Sequence, residues 1–238
     1  MELINRESKT TVHLSVQYLL AGSWRPERAR TVEFEKALLD NGLDFGQTQS
    51  RDNAFMLTRP QPSHLQVRIE SPNPQVVSLL TLANNPQYEC QMFGRDAEAV
   101  ARSFLRTWPA RQYQVLTVNC KIHHLYSATV HAFKYLWEER LGQAREDFRL
   151  LGNRPVAGGG LRLVMPPHAA AGGEPTSIQV RIESFLKEPK KIFIETAFSW
   201  PKPWMTDSEK GFDPTRYIEQ TEQFAAEEVW NFLTRPEA

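Results

Sequence analysis

The sequence predicts an α+β fold of two internally duplicated β-α-β-β-β-α units. The sheets are mostly antiparallel, helices pack on one face, and a pseudo-two-fold relates the halves. Two observations carry this expectation. Leu65-Gln66-Val67-Arg68-Ile69-Glu70-Ser71 returns as Ile178-Gln179-Val180-Arg181-Ile182-Glu183-Ser184, identical but for a Leu/Ile exchange. Both copies alternate apolar and polar residues, the period of a strand with one buried face. Around each copy the neighbouring patterns then recur in the same order, as internal duplication requires.

The elements follow in turn. Val12, Leu14, Val16 and Tyr18 alternate with polar residues and predict the first strand. Thr31 is placed to cap a helix with Phe34, Ala37 and Leu38 on one face, ending near Gly42. The repeated strand 65–71 precedes another alternating segment, 77–82. Asp96 then opens a helix whose stripe is Ala97, Val100, Ala101, Phe104, Leu105 and Trp108.

The second unit repeats this plan. Leu116, Val118, Cys120 and Ile122 predict a strand, and Thr129 a helix with Val130, Phe133, Trp137 and Leu141 on one face, ending at Gly142. Gly158-Gly159-Gly160 reads as a flexible entry into a strand over 161–165, without the Lys and Ser/Thr of a phosphate loop. The repeated strand 178–184 and a segment 192–198 follow. Asp213-Pro214 starts the last helix, with Ile218, Thr221, Phe224, Ala225, Val229, Phe232 and Leu233 on one stripe. Residues 1–110 and 111–238 are thus the expected units. The short link Pro109-Ala110-Arg111 should hold them as one compact body, with the sheets either merged edge to edge or stacked.

Composition narrows the function. Lys and Arg total 28 and so do Asp and Glu, which argues against a nucleic-acid coat or a polybasic membrane binder. No apolar run is long enough to span a bilayer, and the first residues lack a signal-peptide pattern, so a cytoplasmic location is expected. Two cysteines make no disulfide framework. No Walker loop, nucleophile elbow, HExxH or CxxC occurs, so neither catalytic residues nor a cofactor or metal is expected. His123 and His124 would point to opposite faces of a strand, and His131 lies near a helix start, so they make a poor ligand set. Cys120 falls on the apolar face of its strand and reads as a buried hydrophobe, while Cys90 is open to either reading.

Two features remain as candidate binding sites. Arg68 and Glu70, with Arg181 and Glu183, lie on the polar faces of the repeated strands. They read either as a polar groove for a carboxylate or phosphate, or as ion pairs on a solvated face, which weighs more. Trp200-Pro201-Lys202-Pro203-Trp204 is the best candidate partner-binding loop, with Lys187, Lys190 and Lys191 near it in sequence. The competing reading has that loop capping its own core.

The second half resembles the "sporadically distributed" family of bacterial and archaeal proteins of unassigned function. The resemblance rests on the strand 115–125, on Gly160-Leu161-Arg162-Leu163, and on the strand 178–183. It continues through Ile194-Glu195-Thr196-Ala197 and the helix 217–233 with Glu219, Glu222, Phe224 and Phe232-Leu233. It implies a prokaryotic cytosolic protein of duplicated sheet-and-helix build, from an accessory gene of the mobile or defence type, with no catalytic residues to carry over. The leading expectation is therefore a non-enzymatic adaptor that binds a partner protein. One alternative is RNA or single-stranded nucleic-acid binding or processing, with His123 and His124 as acid–base groups. Another is a small-ligand pocket between the units, closed by residues 157–173.

Overall fold

The computed structural model describes residues 3–60, 64–86, 89–144, 146, 148, 151–152, 154–169, 173–207 and 209–234. Residues 170–172 of the glycine-rich segment lie outside these. The chain runs β1 (Ile4–Ala21), α1 (Arg28–Asp40), β2 (Gln47–Arg51), β3 (Ala54–Arg59), β4 (Leu65–Asn73), β5 (Val76–Asn84) and α2 (Cys90–Thr107). It continues through β6 (Tyr113–Ala128), α3 (Ala132–Lys134) with a π-helical extension Tyr135–Arg140, β7 (Gly160–His168), β8 (Thr176–Ser184), β9 (Lys191–Trp200) and β10 (Trp204–Thr206). It ends in α4 (Pro214–Phe224), a π-helical turn Ala225–Val229 and α5 (Trp230–Thr234).

All ten strands form one open antiparallel sheet, in the order β2-β3-β4-β5-β1-β6-β9-β8-β7. β10 resumes the pairing with β6 where β9 leaves off. The sheet is therefore merged edge to edge rather than stacked, and the seam is the long β1–β6 pair, Ile4↔Ala128 to Leu20↔Val115.

One face of the sheet carries the helices. Leu14, Val16, Tyr18 and Leu20 of β1 are buried there, as are Val67 and Ile69 of β4 and Cys120 and Ile122 of β6. They join Phe34 and Leu38 of α1, Phe93, Val100 and Phe104 of α2, and Tyr217 and Ile218 of α4 in one core. A second core lies under α3 and α5, around Tyr126, Leu136, Ile182, Ile194, Trp230 and Leu233. The side chains between these positions form the opposite, open face. No described helix is long and apolar enough to cross a membrane.

Some helix starts differ from the sequence expectation. α1 begins at Arg28, and Thr31 lies in its first turn, donating to the Arg28 carbonyl rather than capping. α2 begins at Cys90, ahead of Asp96, which instead pairs with Arg59. The cap of α3 is His131, whose Nδ1 accepts from the Phe133 N–H, so Thr129 does not serve. The Asp213 cap is as expected, its carboxylate accepting from the Arg216 N–H with Pro214 in the first turn. At Gly160 a β-carbon would lie 2.0 Å from the Ile182 carbonyl oxygen, so this strand entry needs glycine for close approach rather than for mobility.

The seam should control stability. Ile122 is 1 % exposed and faces Leu14 across it. Ile122→Ala is expected to cost about 2–5 kcal/mol by loss of buried methyls and the cavity left behind. Urea unfolding should show one transition at lower denaturant rather than separate loss of one half.

Candidate functional site

The open face carries a line of side chains that crosses six strands. Arg162 of β7 donates to Gln179 of β8 at 2.8 Å. Gln179 reaches Glu195 of β9 at 3.5 Å, and Glu195 lies 2.9 Å from Nε2 of His123 on β6, off the axis of a well-aligned hydrogen bond. The His123 ring stacks on that of His13 on β1 with centroids 4.6 Å apart. His13 Nδ1 lies 2.8 Å from Asn84 Oδ1 on β5, and its Nε2 lies 3.0 Å from Ser15 Oγ. A shorter rung runs beside it: Asn119 of β6 donates to Gln17 of β1 at 3.1 Å, and Gln17 donates to Ser78 of β5 at 2.9 Å.

Why the sequence builds this is a matter of period. Side chains alternate along a strand, so burial of Leu14, Val16 and Tyr18 turns His13, Ser15 and Gln17 to the other face. The same alternation on β6 presents Asn119, Lys121 and His123 opposite them. Beside this line, and sharing His13 and Gln179 with it, lies a cleft of about 580 Å³ lined from β5 through to β7, with Ser15, Gln17, Asn119 and Lys121 on its floor and Leu80, Leu82, Val164 and Ala197 as its apolar walls. One cleft reaching across six strands means that the open face is a trough. A larger hollow of about 1400 Å³ lies between residues 23–27 and the ends of β2 and β4 with their turns, around 50–53 and 71–74.

Electrostatics set the histidines apart. Burial is the main cause that pushes His123 down to about 4, helped by the His13 ring and Lys121 and opposed by Glu195. His13 is likewise lowered, chiefly by burial. Both imidazoles are therefore neutral at pH 7.

His124 takes the other face, 1 % exposed, with Nε2 3.1 Å from Glu222 of α4. Lys9 reaches the other oxygen of Glu222. Burial would lift the Glu222 carboxyl, but contacts from His124 and Lys9 outweigh it and hold the group at about 2. Burial pushes the Cys120 thiol up to about 12 and the Cys90 thiol higher still, so neither is a thiolate nucleophile at neutral pH. Among the described residues no three His, Cys, Asp or Glu side chains are grouped to hold a metal ion.

The structure places the expected binding residues differently. Trp200 is 3 % exposed and packs edge-on against Tyr217, and Trp204 is half-buried against the same core. Trp200 is thus core rather than contact surface, Trp204 packs partly against it, and Pro201, Lys202 and Pro203 are exposed. The Lys187–Lys191 turn sits at the opposite end of β9, roughly 30 Å away at the rise of a strand, so it does not join that loop. Arg68 and Arg181 do share the open face, but β5, β1, β6 and β9 lie between their strands, roughly 24 Å at ordinary strand spacing. Each arginine is paired with its own neighbour, Arg68 with Glu70 and Arg181 with Glu183. The four residues form two separate ion pairs and not one groove.

Sequence reasoning passed over His13, Ser15, Gln17, Asn84, Asn119 and Lys121. The available signal was the polar half of the β1 and β6 alternation, which alone reads as a solvated face. No protein-family model, curated protein or solved structure matches the chain.

These shifts fix the acid limb of stability. The folded state holds His123 neutral down to about 4, whereas the unfolded chain protonates it near 6.5, so stability falls as pH drops between those values. Glu222 stays ionised to about 2 when folded but protonates near 4.5 when unfolded, so a second loss follows between 4.5 and 2. Each window is worth on the order of 3 kcal/mol. Thermal melts against pH should show His123→Gln flattening the upper window and Glu222→Gln the lower.

Proposed function

We propose that the chain is a binding protein whose trough docks an extended polypeptide segment of a partner. The observation that supports this best is the strand-floored cleft itself, where amides, hydroxyls, half-buried Leu80 and Leu82 and exposed Val164 are presented together. Such a mixture suits uncharged polar and small apolar side chains and a peptide backbone. Charge weighs against a polyphosphate. Lys121, Arg68 and Arg181 each already face a carboxylate, at Glu195, Glu70 and Glu183, whereas a nucleic-acid site needs cations free for phosphates.

The same proposal includes an internally duplicated origin. Outward from the seam the order is β1-β5-β4-β3 on one side and β6-β9-β8-β7 on the other, and each half meets these strands in the same chain order. Membership of the "sporadically distributed" family and an accessory-gene context belong to it too, on the strength of the resemblance of the second half.

The test is capture from the native host with and without nuclease, using wild-type protein beside Val164→Arg and Ala197→Arg. Val164 is 65 % exposed, so the arginine fills the trough without burying a charge. Both variants are expected to lose a nuclease-resistant protein partner by tenfold or more, and Lys202→Ala in the exposed loop to retain it. Wild-type capture by both trough variants would move the surface elsewhere. Capture lost with nuclease would favour nucleic acid instead.

A further inference from the structure

We propose that Ser15, His13 and Asn84 form a nucleophile, general base and orienting group that cleave carboxylic esters at the floor of the trough. The inference goes beyond docking and does not require it. Asn84 Oδ1 can only accept, so the 2.8 Å contact places the imidazole proton on His13 Nδ1. Nε2 is then bare, and Ser15 Oγ lies 3.0 Å from it, positioned to donate. Nucleophile against base, with the base held by a third group, is the arrangement that activates a hydroxyl at neutral pH.

The surroundings fit this chemistry. Lys121 sits directly opposite Ser15 on β6, where facing β-carbons are ~5 Å apart, with its ammonium 4.0 Å from Glu195, so an oxyanion formed at Ser15 would share that cation with the carboxylate. Leu82 faces Ser15 from β5 and Leu80 faces Gln17, giving an apolar rest for the acyl chain. The groups around His13 are Asn84 on β5, Lys121 and His123 on β6 and Glu195 on β9. Burial and Lys121 lower its basicity, Asn84 and Glu195 oppose them, and the net result is a neutral base at pH 7.

The step balances without a co-reactant other than water. Ser15 Oγ attacks the carbonyl carbon, its proton passes to His13 Nε2, and the carbonyl π pair moves onto oxygen. Collapse breaks the bond to the alcohol oxygen, which leaves with the proton from His13. Water then attacks the acyl-serine while His13 takes one of its protons. The carboxylic acid departs as that proton returns to Ser15 Oγ.

The full chain is treated with an alkyl fluorophosphonate, with peptide mass spectrometry to locate the adduct, and assayed with p-nitrophenyl butyrate. The adduct is expected on Ser15, with ester turnover that Ser15→Ala lowers by roughly 100-fold or more and Asn84→Ala by roughly tenfold or more. In wild type kcat/KM should rise with pH and level off below pH 7. No adduct on Ser15, or Ser15→Ala turning over at the wild-type rate through imidazole alone, would overturn the assignment. A thermal melt of Ser15→Ala confirms its fold, and the wild-type adduct is decisive without it. The small ester needs no partner, so failure here leaves docking standing, and a wild-type adduct survives any failure of docking.

Discussion

The antiparallel pairing of β1 with β6 is the contact on which both faces of this molecule depend. Leu14 opposite Ile122, Val16 opposite Cys120 and Tyr18 opposite Val118 lie under the helices. His13 opposite His123, Ser15 opposite Lys121 and Gln17 opposite Asn119 lie on the open side. A single register fixes both sets, since a slip of one residue would send every apolar side chain to the trough and every polar one into the core. Burying the first set therefore positions the second. Bulges modify the pairing near its ends, and one falls between Thr11 and His13. There β1 advances two residues while β6 advances one, so Thr11 faces the buried His124 while His13 faces His123. Bulges commonly re-aim side chains beside functional sites, and this one ends beside the imidazole stack.

Polar groups on the two faces have different work. On the helix side, Lys9, Glu222 and His124 tie β1, α4 and β6 together, and Glu222 meets its two partners with two oxygens. A buried carboxylate left without such partners would cost several kcal/mol. On the open side, Glu195 is 7 % exposed and meets His123, Lys121 and Gln179, which spreads one charge over three neighbours. Neither imidazole there is protonated at pH 7, so the stack avoids like-charge repulsion. This is also what leaves a lone pair on His13 facing Ser15.

Much of the architecture was legible in the sequence because it is periodic. The alternation in β1, β4, β6, β8 and β9 reads directly as strands with one buried face, and Asp213-Pro214 is a cap that the structure uses as written. Opposite faces for His123 and His124 followed from the same period, as did burial of Cys120. Boundaries were less legible. β1 extends back to Ile4 through a polar stretch whose pairing comes from β6, and α2 starts ahead of Asp96 because nothing local forbids a turn at Cys90. The Trp200 to Trp204 loop misled because composition cannot tell an aromatic exposed on a loop from one that ends a strand and faces Tyr217. The grouping of residues on the open face was invisible for a deeper reason. Asn84, Ser15, His123 and Glu195 become neighbours only through cross-strand register, which joins positions roughly seventy or more residues apart.

That register also explains why the site lies at the seam. Asn84, His13 and Ser15 come from strands before residue 110, while Lys121, His123, Gln179 and Glu195 come from strands after it. Neither set makes the line alone: without β6, His13 loses its stacking partner and Ser15 its facing cation, and without β1, His123 and Glu195 face an open edge. The side chains stand on strands whose other face is packed, so their spacing is set by backbone hydrogen bonds rather than by loops. Placement of this kind costs little to hold in the folded state and is what binding and catalysis both need. The line of contacts can therefore assemble only after the central pair has formed. Folding of the seam and construction of the site are the same event.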